Sequence, residues 1–154
     1  MKRTMILILS FNFLVPLHAL ANKISTADNF ALLDQDGRFH ELYYYSDKKA
    51  IVLISQGANC PVISKSISSL RALKTQFVPR GVVFLMINTN PKDNRESIQK
   101  QWREYGLDIP ILEDKSQLIT EALKMAHTAE AVIINPADWS IVYQGGIQQE
   151  DLGA

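Results

Sequence analysis

The chain has 154 residues, with sixteen Lys and Arg against sixteen Asp and Glu, and 47% of its residues are hydrophobic. Such a composition suits one ordinary globular domain, and without a basic block it argues against nucleic acid as a partner. The three histidines (His18, His40, His127) and one cysteine show no HxxxH or CxxC spacing, which argues against a metal centre or an internal disulfide.

Lys2 and Arg3 precede an apolar run from Met5 to Leu17, the length of a signal-peptide core and too short to span a bilayer comfortably. "HALAN" follows, with Ala19 and Ala21 as the small residues a signal peptidase reads, so cleavage is expected after Ala21. A retained amphipathic anchor is the alternative, but the run lacks a charged face. Residues 1–21 are thus read as a signal peptide, and 22–154 as one domain that is exported to the periplasm or secreted and keeps no stable membrane insertion. Loss of Lys2 and Arg3 leaves a mature charge of about −2.

"NFALLDQDGRFHELYYY" predicts a hairpin, with Phe30–Leu33 and Phe39–Tyr43 as strands around a "DQDG" turn. Tyr43–Tyr45 are read as the amphipathic end of the second strand. "AIVLIS" (50–55) and "GVVFLMIN" (81–88) are continuous apolar runs, as expected of central strands covered on both faces. Between them Ile63, Ile67, Leu70, Leu73 and Phe77 form one helical stripe, so the segment reads as a right-handed βαβ crossover. A second helix is expected from Asp93, with Glu96 completing a capping box; it buries Ile98, Trp102 and Tyr105 and stops at Gly106. A short strand "IPIL" (109–112) follows. A third helix starts near Asp114 and Gln117, with Leu118, Ala122 and Met125 on one face. "AVIIN" (131–135) and "SIVYQG" (140–145) close the chain as an antiparallel pair, with no room for another helix before Ala154. Trp102 and Trp139 are read as packing residues.

Cys60 follows the strand 50–55 and stands at the N-cap of the helix that Pro61 opens. Open α/β sheets carry their chemistry at that edge, and the free N–H groups of the helix favour an anionic sulfur. No acidic residue lies within five positions of Cys60. The competing reading is a small, buried, inert cysteine.

The segments "NFALLDQDGR" (29–38), "NCPVI" (59–63), "VVFLMINTNP" (82–91), "IPILED" (109–114), "TAEAVIINP" (128–136) and "VYQGGI" (142–147) together resemble the thioredoxin-like superfamily. The likeness is to its redoxin or peroxiredoxin-like branch, that of alkyl hydroperoxide reductase and thiol-specific antioxidant. The resemblance implies an α/β fold with a central mixed sheet, flanking helices and an N-terminal β-hairpin. It also implies that Cys60 is the attacking thiol, that Pro61 supports it, and that His127, Thr128 and Ala129 line the groove opposite. No cofactor or metal is implied. The implied partners are an external thiol reductant or a partner protein, with a Cys60-linked dimer as one product.

The sequence departs from that family at several positions. Ile63 replaces the second cysteine of a C-x-x-C motif, so an internal exchange partner is missing. Leu53 and Gly57 stand where peroxiredoxins carry proline and a hydroxyl residue. Thr128-Ala129-Glu130 replaces a threonine–proline–glutamate run, and "YQGGIQQ" lacks the family's arginine and aspartates. A cis bond before a residue other than proline costs about 2.5–4 kcal/mol, so Thr128–Ala129 is expected to be trans and the groove altered. Ala129→Pro is then expected to change substrate capture more than folding. His127 reads either as a base or thiolate stabiliser or as an exposed loop histidine. The leading expectation is an exported redox protein with one reactive thiol, passing through a sulfenic acid or mixed disulfide. The alternative is a degenerate binding or accessory module on the same fold. Copper delivery would need soft ligands that the chain lacks.

Overall fold

The computed structural model describes residues 26–147, so the expected signal segment and the cleavage point after Ala21 lie outside it. Ala31–Leu33 (β1) and Phe39–Glu41 (β2) form a separate antiparallel hairpin. The other strands are Ala50–Gln56 (β3), Val82–Asn88 (β4), Ile111–Glu113 (β5), Glu130–Asn135 (β6) and Ser140–Gly146 (β7). They build one mixed sheet in the order β5-β4-β3-β6-β7. β3 runs parallel to β4 and antiparallel to β6, so the two longest apolar runs lie side by side at the centre. Pro61–Phe77 (α1), Arg95–Tyr105 (α2) and Leu118–Ala122 (α3) flank the sheet. Among the described residues, no helix is long and apolar enough to cross a membrane.

Strand alternation sends β3 side chains to two different cores. Ile51 and Leu53 join Leu85, Ile87, Val132 and Ile134 on the face that the hairpin covers with Phe30 and Leu42. Val52 and Ile54 face the other way, toward Ile63 and Leu70 of α1 and Ile98 and Tyr105 of α2. Ile63 is fully buried. Burial of that side chain contributes about 1.5–3 kcal/mol, which explains why an apolar residue holds the third position of α1.

Four local expectations change. The second hairpin strand stops at Glu41, and Leu42–Tyr45 coil into a 3-10 turn that buries Leu42 and stacks Tyr43 on Trp139 at 4.1 Å between ring centres. Leu73 leaves the buried stripe of α1 at 40% exposure and edges an open apolar groove of about 360 Å³ with Phe77, Val52, Ile133 and Tyr143. The cap of α2 is Asn94, which accepts the Ser97 N–H at 2.9 Å while the Ser97 hydroxyl accepts the Asn94 N–H at 3.1 Å. Asp93 and Glu96 do not form that box, because Asp93 is engaged elsewhere. The third helix is a five-residue turn with Leu118 exposed, Thr120 buried and Met125 beyond its end. Buried Asp114 organises it by accepting the Thr120 hydroxyl at 2.7 Å and the Thr120 N–H at 2.9 Å.

Candidate functional site

β3 ends at Gln56, and four residues later the chain enters α1 at Cys60. Cys60 adopts φ −72° and ψ 118°, the extended conformation of an N-cap, with Pro61 in the first turn. Its N–H donates to the Gly57 carbonyl at 3.3 Å, and its carbonyl accepts the Ser64 N–H at 3.1 Å. The sulfur caps nothing. It is half-buried and packs against the cluster that holds Ile63 and Tyr105.

Asp93 fixes the loop before Cys60. One carboxylate oxygen accepts the Ala58 N–H at 2.7 Å and the Asn88 amide at 2.9 Å, while the other accepts the Asn90 amide at 2.9 Å. These bonds tie the loop after β4 to the loop after β3. Asn59, just before Cys60, is held at φ 62° in the left-handed region.

The segment 127–130 enters from the other side. Ser55 joins β3 to it: the Ser55 hydroxyl donates to the His127 carbonyl and accepts the Glu130 N–H at 3.1 Å, and the Ser55 carbonyl accepts the Ala129 N–H at 2.9 Å. Partial burial pushes the Glu130 carboxyl up, but hydrogen bonds from Gln144 and from the His127 and Ala126 N–H groups outweigh it and hold the group below its ordinary range. No peptide bond among the described residues is cis, so Thr128–Ala129 is trans, and Ala129 carries φ 65°.

These residues divide between two surroundings. Ala129 is 4% exposed and belongs to the apolar cluster against which Cys60 packs. His127 and Thr128 line a polar pocket of about 180 Å³ with Ser55, Thr89, Gln117 and Thr120, and Cys60 is not part of its wall.

Sequence reasoning missed a set of polar groups behind the Cys60 loop. Gln56 has the same strand parity as Val52 and Ile54 and is fully buried, yet among the described residues neither its nitrogen nor its oxygen has a hydrogen-bond partner. Gln101 of α2, 3% exposed, donates to the Tyr105 hydroxyl at 2.6 Å and to the Gly57 carbonyl at 3.4 Å, leaving its own oxygen unpartnered. Leaving such a group unpaired costs about 1–3 kcal/mol. Burial pushes the Tyr105 hydroxyl up from its ordinary value, hydrogen bonds with Ser64 and Gln101 partly offset this, and an ionised Cys60 adds to the rise. The parity of "AIVLISQ" was the available signal, since a polar residue in phase with Val52 and Ile54 shares their sheet face if the strand runs that far. Among the described residues, no group of three or more His, Cys, Asp or Glu side chains is arranged to hold a metal ion.

Known proteins match this arrangement over most of its length. A hypothetical protein from Sinorhizobium meliloti 1021 shares 23% identity over 84% of this chain and 73% of its own, with a TM-score of 0.75. An uncharacterized conserved protein from Geobacillus kaustophilus shares 28% identity over 84% of this chain and 72% of its own, with a TM-score of 0.73. The thioredoxin domain of a thiol-disulfide oxidoreductase from Bacteroides vulgatus shares the fold at 17% identity, covering 79% of this chain and 86% of its own with a TM-score of 0.69. No curated protein matches the chain. The family model described as AhpC/TSA matches residues 25–150, which include the hairpin, Cys60 and all five strands of the sheet. On a match of that extent, laid over a thioredoxin-like sheet, the chain belongs to the AhpC/TSA family.

Proposed function

We propose that this chain is an exported thiol redox protein that works through Cys60 alone. One observation carries the reading: the sulfur is half-buried at the N-cap of α1, followed by Pro61, and bonded to no cap N–H. A thiolate there attacks one oxygen of a hydroperoxide; the S–O bond forms, the O–O bond breaks, the sulfur gives up two electrons, and the leaving alkoxide or hydroxide takes a proton. An external thiol then attacks the sulfenic sulfur, forming a mixed disulfide and releasing water. A second thiol of the reductant breaks that disulfide and returns Cys60. With Ile63 buried in the position of a resolving cysteine, the electrons must come from another molecule.

In this reading Pro61 fixes the first turn of α1 and the helix amides polarise the sulfur. Ala129 backs the site on its apolar side, while Thr128 and His127 border the neighbouring polar pocket as contacts for a partner thiol. The products include a Cys60-linked dimer. Export to the periplasm or beyond rests on Lys2, Arg3, the apolar run and Ala19 to Ala21.

Alkylation and dimedone labelling at pH 7 test the reading. Native protein treated with peroxide is expected to carry a dimedone adduct at Cys60, and the Cys60→Ser variant none. Native protein that resists both reagents, while its urea-unfolded form labels normally, would sink the catalytic reading. A binding or accessory module would then take its place, a reading favoured by the absence of any side-chain hydroxyl at Gly57.

A further inference from the structure

Two buried glutamine amides, Gln56 and Gln101, lie behind the turn that carries Cys60. The Gly57 carbonyl accepts both the Cys60 N–H at 3.3 Å and the Gln101 amide at 3.4 Å, so Gln101 reaches the turn that carries the sulfur. Gln56 is the chain neighbour of Gly57, and its parity places it on the sheet face of Val52 and Ile54, the face that carries the cluster against which Cys60 packs. Among the described residues the Gln56 amide nitrogen, with its two N–H donors, and its oxygen have no partner, and the Gln101 oxygen adds a second free acceptor.

A thiolate can use only the donors. A sulfenic acid matches both kinds of group, because its oxygen accepts while its O–H donates. We propose that Gln56, with Gln101, holds the S–O–H group of oxidised Cys60 until an external thiol arrives. The inference rests on the reading of Cys60 as a reactive thiol. Oxidation by hydrogen peroxide puts one oxygen on the sulfur and releases one water, so the group to be held is small and neutral. Gln56 and Gln101 are positioning residues in this account. They supply a hydrogen-bonded resting place that an apolar core beside Ile54 and Ile63 would deny.

The test uses the full mature chain. Side-chain amide resonances of Gln56 and Gln101 are followed by NMR before and after one equivalent of hydrogen peroxide, with Cys60→Ser as the control. Both amides are expected to shift in the wild type and to stay fixed in the control, while the other glutamines remain unmoved. Delayed addition of dimedone then measures how long the sulfenic acid persists without thiol. Gln56→Leu is expected to shorten that persistence roughly fivefold, the factor one hydrogen bond of ordinary net strength supplies. The same variant should raise the urea midpoint, because it removes an unpartnered buried amide, a direction that separates this role from a structural one. If Gln56→Leu does not fold, the wild-type resonances decide alone. An adduct at Cys60 with unmoved amides overturns this inference and leaves the thiol chemistry standing, as do amides that exchange with a trapped water and ignore oxidation. No adduct at Cys60 under any condition overturns both.

Discussion

Asp93 and Ala58 are joined by a 2.7 Å hydrogen bond from the Ala58 N–H to the Asp93 carboxylate, and through it the loop that launches α2 holds the loop that carries Cys60. Hydrogen bonds to a charged group contribute more than neutral ones, about 1.5–3 kcal/mol. Asp93→Ala also strands the Asn88 and Asn90 amides. We expect it to lower stability by about 2 kcal/mol in urea unfolding and to remove hydrogen-exchange protection at Ala58. Unchanged protection at that amide would break the link between the two loops.

Ala129 gives the second prediction, which reverses the sequence-based expectation for this position. Its φ is 65° and its N–H donates to Ser55. Proline holds φ near −65° and has no N–H, so Ala129→Pro must break both the local conformation and the bond to β3. A loss of about 3 kcal/mol or more is expected in thermal or urea unfolding, well beyond any effect confined to substrate capture. A variant as stable as the wild type would mean that the segment has a second, equally good path.

The third prediction concerns acid. Burial raises the Asp34 carboxyl, but the bond with His40 and the N–H groups of Arg38 and Asp36 overcome this and hold it below its ordinary value of 3.8. The unfolded chain thus binds that proton more readily than the folded one, and stability contributed by Asp34 is full above about pH 5 and lost as pH falls through the unfolded and then the folded value. Glu130 acts in the same direction. Asp34→Asn is expected to flatten the fall in unfolding free energy between about pH 5 and pH 2. An equally steep fall in the variant would assign the acid sensitivity to other carboxylates.

A fourth prediction separates packing from chemistry at α1. Serine is among the preferred N-cap residues, so Cys60→Ser should gain a cap bond and lose some apolar contact. The net change is expected to stay within about 1 kcal/mol, with labelling abolished. Ile63→Ala should do the reverse, costing about 2–5 kcal/mol while Cys60 still labels.

The parts legible in the sequence were those whose residues act through pattern alone. β3 and β4 are unbroken apolar runs and nothing competes with a central-strand reading, while the Cys60-Pro61 pair marks a helix start by itself. The cap of α2 was not legible, because Asp93 and Asn94 are adjacent candidates and the choice is made by Ala58, Asn88 and Asn90, far away in sequence or in the next turn. Leu73 kept the helical period and still faces the groove, since period fixes a stripe but not how much of that stripe the sheet covers. Cys60 was singled out from its place between strand and helix; Gln56 was passed over because a polar residue at a strand end reads as the beginning of a loop.

The antiparallel seat of β6 between β3 and β7 also sets an order of events. β3 and β4 can pair once the intervening α1 segment is made, but the Ile54 to Ala131 register closes a loop of more than seventy residues, and closure of that size is slow. Until it closes, Ser55 has no Ala129 to bond and the cluster against which Cys60 packs lacks Ala129 and Ala131. The last part of that apolar wall therefore comes from a segment made about seventy residues after Cys60, and its shelter depends on the slowest pairing of the sheet.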